Sequence, residues 1–196
     1  MRNFEMTRIT NETNIQMKLS LDGQGQADIQ TGCGFLDHML TLFTRHGGFD
    51  LTIKCAGDTD VDFHHTTEDV GIVLGTCVLN ALDNMKGITR YGDIILPMDE
   101  SLILSAIDVS GRAYLNFDVD FPTEKIGEFD TELVKEFFEA FVRNSKITLH
   151  IKKLYGENSH HIAEGIFKSF ARALGKAVKI DDNNKDKIPS TKGTLL

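Results

Sequence analysis

His64-His65-Thr66-Thr67-Glu68 and His160-His161-Ile162-Ala163-Glu164 are the same His-His-x-x-Glu cluster, 96 residues apart in a chain of 196. The match runs on beyond the clusters. Two, six, ten and fourteen positions past each glutamate stand Val70, Leu74, Val78 and Leu82 in one half and Ile166, Phe170, Leu174 and Val178 in the other. A spacing of four, with further apolar or small residues three apart, is the buried stripe of a helix. Each cluster is therefore expected on the first turn of a long helix, and the chain reads as a duplicated half.

Working outward, each half carries a shorter helical stretch upstream, residues 35–45 and 131–143. There Leu36, Met39, Leu40, Leu42 and Phe43 parallel Val134, Phe137, Phe138, Ala140 and Phe141. An alternating strand follows each, residues 49–55 and 147–154. Further upstream lie strand runs at 7–21 and 27–31, and at 94–109 and 113–121, with turns marked by Asp22-Gly23-Gln24-Gly25 and Ser110-Gly111-Arg112. The expected order is strand, strand, helix, strand, helix, repeated once. With only three prolines and no Ser/Gly-rich linker, nothing separates the halves. The expectation is one α+β domain of two pseudo-symmetric halves, residues 1–90 and 91–185, followed by a polar tail, 186–196.

Composition narrows the function. No run of 18 apolar residues occurs, and Met1-Arg2-Asn3-Phe4-Glu5 lacks the apolar segment of a signal peptide, so a soluble cytoplasmic protein without a membrane partner is expected. Cys33, Cys55 and Cys77 are an odd number at no metal-ligand spacing; they read as small buried residues in a reducing compartment. A net charge of -8 without a basic block argues against nucleic acid as a partner. No Walker pattern, dinucleotide fingerprint or nucleophile elbow is present.

The histidines and carboxylates carry the chemistry. Adjacent histidines on a helix point about 100° apart, so one pair cannot easily chelate one ion. One ligand to each of two ions, or sites shared with another segment, is the expectation. His38 lies on the short helix of the first half and Glu136 on that of the second. Eight groups result: His38, His64, His65 and Glu68, with Glu136, His160, His161 and Glu164. A single such cluster is usually a surface or capping feature; two copies in matching positions of a repeat point to metal. Imidazole and carboxylate ligation without cysteine suits Mn, Fe, Co or Zn rather than Ca or Mg.

Longer motifs add a resemblance. The runs Gly32-Cys33-Gly34-Phe35-Leu36-Asp37-His38-Met39-Leu40, Asp60-Val61-Asp62-Phe63-His64-His65-Thr66-Thr67-Glu68-Asp69-Val70-Gly71, Arg90-Tyr91-Gly92, Pro97-Met98-Asp99-Glu100, Asp108-Val109-Ser110-Gly111-Arg112, Asn158-Ser159-His160-His161 and Pro189-Ser190-Thr191-Lys192-Gly193 span almost the whole chain. In that order they resemble the imidazoleglycerol-phosphate dehydratase family. The resemblance implies a ribosomal protein S5 domain 2-like fold of paired repeats. It also implies two Mn ions per active site and a 24-mer homo-oligomer with active sites between subunits. The implied reaction, in histidine biosynthesis, dehydrates D-erythro-imidazole-glycerol phosphate to imidazole-acetol phosphate. Two positions depart from the usual pattern. Cys33 replaces an aliphatic residue, which is expected to be a packing variation, and Glu136 stands where many members have a histidine ligand and others glutamate.

The implied chemistry needs metals because the proton leaves a carbon with no neighbouring carbonyl. An imidazole ring bound at both nitrogens would become an imidazolate whose electrons expel the hydroxyl, giving a diazafulvene-like intermediate. A base outside the ligand set must then take the C–H proton. By resemblance that base is Glu12, which on its own reads as an ordinary strand-edge carboxylate. His46, Arg90, Arg112, Ser190 and Lys192 match the family's phosphate-binding positions; the arginine fork suits phosphate oxygens. Taken singly each would be a solvated surface group. The ligand types alone would also permit a dinuclear metal hydrolase or a non-catalytic metal-binding assembly protein.

Overall fold

The computed structural model describes residues 1–195. Its two halves repeat one order of elements. The first half runs β1(Asn3–Ile9), β2(Thr13–Ser20), β3(Ala27–Gln30), α1(Gly34–Gly47), β4(Asp50–Gly57) and α2(His64–Leu82). The second runs β5(Tyr91–Met98), β6(Ser101–Asp108), β7(Tyr114–Asp118), a short hairpin of β8(Lys125–Ile126) and β9(Phe129–Asp130), α3(Glu132–Ser145), β10(Thr148–Tyr155) and α4(Ser159–Val178). The sheets have matching orders, β1-β2-β4-β3 and β5-β6-β10-β7. In each the first three strands in that order pair antiparallel and the last pairs parallel.

The runs at 7–21 and 94–109 are each two strands joined by a hairpin, a correction to the expected order. The first is cut at Thr10-Asn11-Glu12, where the Thr10 hydroxyl accepts from the backbone N–H of Glu12 (3.2 Å) and Thr13 (2.9 Å). A turn closed by a side chain carries no Gly or Pro to announce it. The second is cut at Asp99, whose φ of 49° is left-handed backbone that a short polar side chain tolerates.

Alternation along β2 buries Ile15, Met17 and Leu19 and exposes Asn14, Gln16 and Lys18, so each sheet has one dry face. The four helices cover those faces and lie between the sheets. They pair crosswise: α2 packs on α3 and α1 on α4, so each helix contact joins the two halves. Close approach at α2 and α3 requires glycine. A Cβ on Gly71 would sit 2.7 Å from the Phe137 carbonyl oxygen, and one on Gly75 2.4 Å from that of Phe141. Buried Phe43, Phe137, Phe138, Phe141, Phe167 and Phe170 fill the centre, with Phe43 and Phe170 stacked at 5.5 Å and the other ring pairs of the group spaced between 5.0 and 6.5 Å. Each fully buried phenylalanine stabilises by roughly 1.5–3 kcal/mol. All eight residues of the two stripes read from the sequence are buried.

Candidate metal centre and active site

Both clusters open their helices, as expected. At α4 the Asn158 side chain caps the first turn, accepting from the backbone N–H of His160 (2.9 Å) and His161 (3.3 Å). At α2 the Asp62 carboxylate accepts from the His64 N–H at 2.7 Å. The paired rings stand nearly perpendicular, 85° for His64 and His65 and 88° for His160 and His161. One pair therefore does not aim at one point.

The structure gathers candidate ligands across the halves. The crosswise packing of α1 on α4 brings His38 to His160 and Glu164, with a ligand atom from each within 4.8 Å of the others. His38 Nε2 lies 2.8 Å, and His160 Nε2 3.3 Å, from Glu164 Oε1. Phe35 sets its ring edge-on to His160, and Phe129 packs on Phe35. These rings, with Phe63 and Ile126, line a largely apolar cavity of about 500 Å³ that His38 and His160 share. Burial pushes the Glu164 carboxyl up, but hydrogen bonds from Lys168 and His38 outweigh it and hold the group at about 2.

His64, Glu68 and Glu136 do not form such a group. Glu68 Oε1 instead pairs with Arg143 at 3.3 Å. Nor do His65 and His161 join the triad; each faces the hairpin of its own half. His65 Nδ1 meets Asp58 at 2.9 Å and its Nε2 lies 3.7 Å from Glu12 Oε1, while His161 Nδ1 meets Glu100 Oε2 at 2.6 Å. Hydrogen bonding to Asp58 and to Glu100 raises the two histidines above their ordinary range.

Of the five phosphate candidates, Arg90, Arg112 and the tail form one neighbourhood. Arg90 Nε donates to Asp108 Oδ1 (2.8 Å) and its Nη1 to the Pro189 carbonyl (2.9 Å), which ties the tail down one residue before Ser190. Arg112 lies 3.8 Å from the same Asp108 with its head largely in solvent. The Ser190 hydroxyl accepts from the backbone N–H of exposed Lys192 at 3.2 Å. His46 lies in the last turn of α1, facing α4. Burial lowers it, and Arg172 and Lys168 on α4 push it further the same way.

A family model described as imidazoleglycerol-phosphate dehydratase matches residues 31–174. The chain belongs to the imidazoleglycerol-phosphate dehydratase family. The imidazoleglycerol-phosphate dehydratase of Methylorubrum extorquens is 59% identical over 195 residues, covering 100% of both chains. The crystal structure of the Staphylococcus aureus enzyme superposes with a TM-score of 0.84 at 45% identity, covering 91% of this chain and 99% of that one. That of the Pyrococcus furiosus enzyme gives 0.83 at 38% identity, covering 97% and 100%. The expected α+β fold is thus that of the imidazoleglycerol-phosphate dehydratases. No helix among the described residues is long and apolar enough to cross a membrane.

Reading the sequence missed Lys168, whose Nζ donates to Glu164 Oε2 at 2.6 Å with the side chain 16% exposed. The signal was present: Glu and Lys four apart share a helix face. Asp58 and Glu100, which orient His65 and His161, were also given no role. Holding Glu164 ionised has a consequence for acid stability in this dehydratase-family fold. Its pKa lies below the ordinary 4.5, so the stabilisation is complete above about pH 4.5 and is lost as pH falls toward 2. Acid unfolding of metal-free protein, followed by circular dichroism, should be shallower in Glu164→Gln across that window. Superimposable curves for the two proteins would refute the coupling.

Proposed function

We propose that this chain removes water from D-erythro-imidazole-glycerol phosphate to give imidazole-acetol phosphate, a step of histidine biosynthesis. It does so in the cytoplasm as one catalytic domain with two manganese ions per active site, in a 24-mer whose sites are completed between subunits. The observation that carries this reading is the meeting of His38, His160 and Glu164 from opposite halves in a chain of a dehydratase family. The donor set fits manganese. It offers two imidazole nitrogens, a carboxylate and no thiolate, and three ligands leave positions open for substrate. His64, Glu68 and Glu136 would hold the second ion, a reading supported by the packing of α3 on α2, which repeats that of α1 on α4. His65 and His161 complete the eight ligands. Facing away from the triad, they fit sites that draw on more than one subunit.

When bound, the ions supply Lewis acidity at the substrate's imidazole ring. The remaining steps belong to the chain. Glu12 takes the C–H proton; among the described residues its carboxylate has only His65 as a partner, at 3.7 Å, so its oxygens are free to accept. Phe35, Phe63 and Phe129 shield the ring from water. Arg90, Arg112, Ser190, Lys192 and His46 hold the phosphate. Arg90 is already oriented by Asp108, so less conformational freedom is lost on binding.

The test is direct. Metal-loaded protein incubated with imidazole-glycerol phosphate should form the keto product, read by its ultraviolet absorbance as the enolate in alkali, and release no inorganic phosphate. Phosphate release without the keto product would make the chain a metal-dependent hydrolase instead. Tight metal binding with neither product would make it a non-catalytic metal-binding assembly protein.

A further inference from the structure

The hairpins of the two halves have become different devices. Glu12 immediately precedes Thr13, the first residue of β2, as Glu100 immediately precedes Ser101, the first residue of β6. Glu100 is fully engaged. Its Oε1 accepts from the Ser101 hydroxyl (2.9 Å) and from the Asn158 backbone N–H (2.9 Å), and its Oε2 meets His161 at 2.6 Å. Both oxygens of that carboxylate are therefore taken up by the protein's own donors. Glu12 keeps only the counterpart of the last contact, and at a longer distance, His65 Nε2 at 3.7 Å; 53% of its side chain is exposed, on a turn that its own side chain does nothing to hold.

The turn is held from behind instead. Asp69 Oδ2, on the second turn of α2, accepts from Arg8 Nη1 at 2.7 Å and from the Thr13 hydroxyl at 2.5 Å. Arg8 lies on β1 and Thr13 on β2, so one oxygen clamps both legs of the turn that carries Glu12. Thr13 donates to Asp69, and the Thr10 hydroxyl lies against both the Thr13 hydroxyl oxygen (3.3 Å) and the Thr13 carbonyl (3.4 Å), either of which can accept its proton. Thr10 in turn accepts from the Glu12 N–H, and the Glu12 carbonyl accepts from the Asp58 N–H at 3.1 Å. Asp69 is 7% exposed and Thr13 3%, so the clamp is shielded from competing water. A buried carboxylate with charged and hydroxyl donors makes hydrogen bonds stronger than neutral pairs.

The other half has no such clamp. The position 96 residues beyond Asp69 is Gly165, and a Cβ there would meet Ile103 Cγ1 at 2.8 Å. A side chain is excluded where the hairpin carboxylate is locked directly, and present where it must stay free. We propose that Asp69, through Arg8 and Thr13, is a positioning residue that fixes Glu12 relative to the α2 cluster while leaving its carboxylate unencumbered. The inference rests on the reading of Glu12 as the base.

Thr13→Val keeps the shape of the side chain and removes the hydroxyl; Thr13→Ser restores it. In the assembled, manganese-loaded enzyme, Thr13→Val should lower kcat about ten- to a hundredfold, the scale of an ångström of misplacement. KM, metal content and assembly size should match the parent, and Thr13→Ser should recover most of the loss. Asp69→Asn should act in the same direction. Placed on Glu12→Gln, Thr13→Val should cost nothing further in single-turnover assays, because the clamp works only through Glu12. An equal fractional loss in both backgrounds would overturn the proposal, as would a fall in kcat that follows a fall in metal content. Near-normal activity of Glu12→Gln alone would instead remove the base assignment on which the proposal stands.

Discussion

Glu12→Gln is expected to lower kcat about 10²- to 10⁴-fold, the usual contribution of a general base, while metal content and assembly stay as in the parent. The substitution is nearly isosteric and lies on an exposed turn, so folding has little to lose. The turn's hydrogen bonds run through the Glu12 backbone and the Thr10 side chain, which glutamine leaves untouched. An amide cannot accept the C–H proton at neutral pH, so the loss falls on the chemical step and KM should change little. Steady-state kinetics beside elemental analysis of the same preparations provides the check. Retention of near-normal kcat would transfer the base role to another group.

His160→Ala is expected to empty the triad and abolish turnover. It removes one of three groups whose ligand atoms lie within 4.8 Å. Even partners that only orient metal ligands cost about 10- to 100-fold in affinity when lost, so a direct ligand should cost at least that much. Dialysed protein should contain less manganese by elemental analysis, and His65→Ala and His161→Ala should behave likewise. Where sites join subunits, chelation should also shrink the assembly, which light scattering before and after treatment would register. Full metal content in His160→Ala would remove the triad from the metal centre. An unchanged size after chelation would mean that metal does not hold the subunits together.

Much of this was legible because the two halves of the sequence write the same signal twice. The stripes beyond Glu68 and Glu164 marked two helices, the stripe residues are all buried, and the clusters sit on the helices' first turns. What escaped was set by hydrogen bonds that a pattern of apolar residues does not encode. Thr10 closes a turn with its hydroxyl, and Asp99 does so by backbone conformation, so continuous strand runs concealed two hairpins. Grouping ligands by half also missed the partnership of His38 with His160 and Glu164, because only the packing of α1 on α4 reveals it. Lys168 gains its role only because Glu164 is buried beside it.

The crosswise pairing of the helices bears on how such a chain could have arisen. A half-length precursor would expose the apolar faces that α1 and α2 now press against α4 and α3. It would be stable only with a second copy supplying those helices, since bare apolar faces of that size associate. Joining two copies end to end makes the pairing intramolecular and independent of protein concentration. It also lets each copy mutate alone. A symmetric pair must carry the same residue twice, whereas the fused chain holds Asp69 in one copy and Gly165 in the other, and sets its two hairpin glutamates in different surroundings.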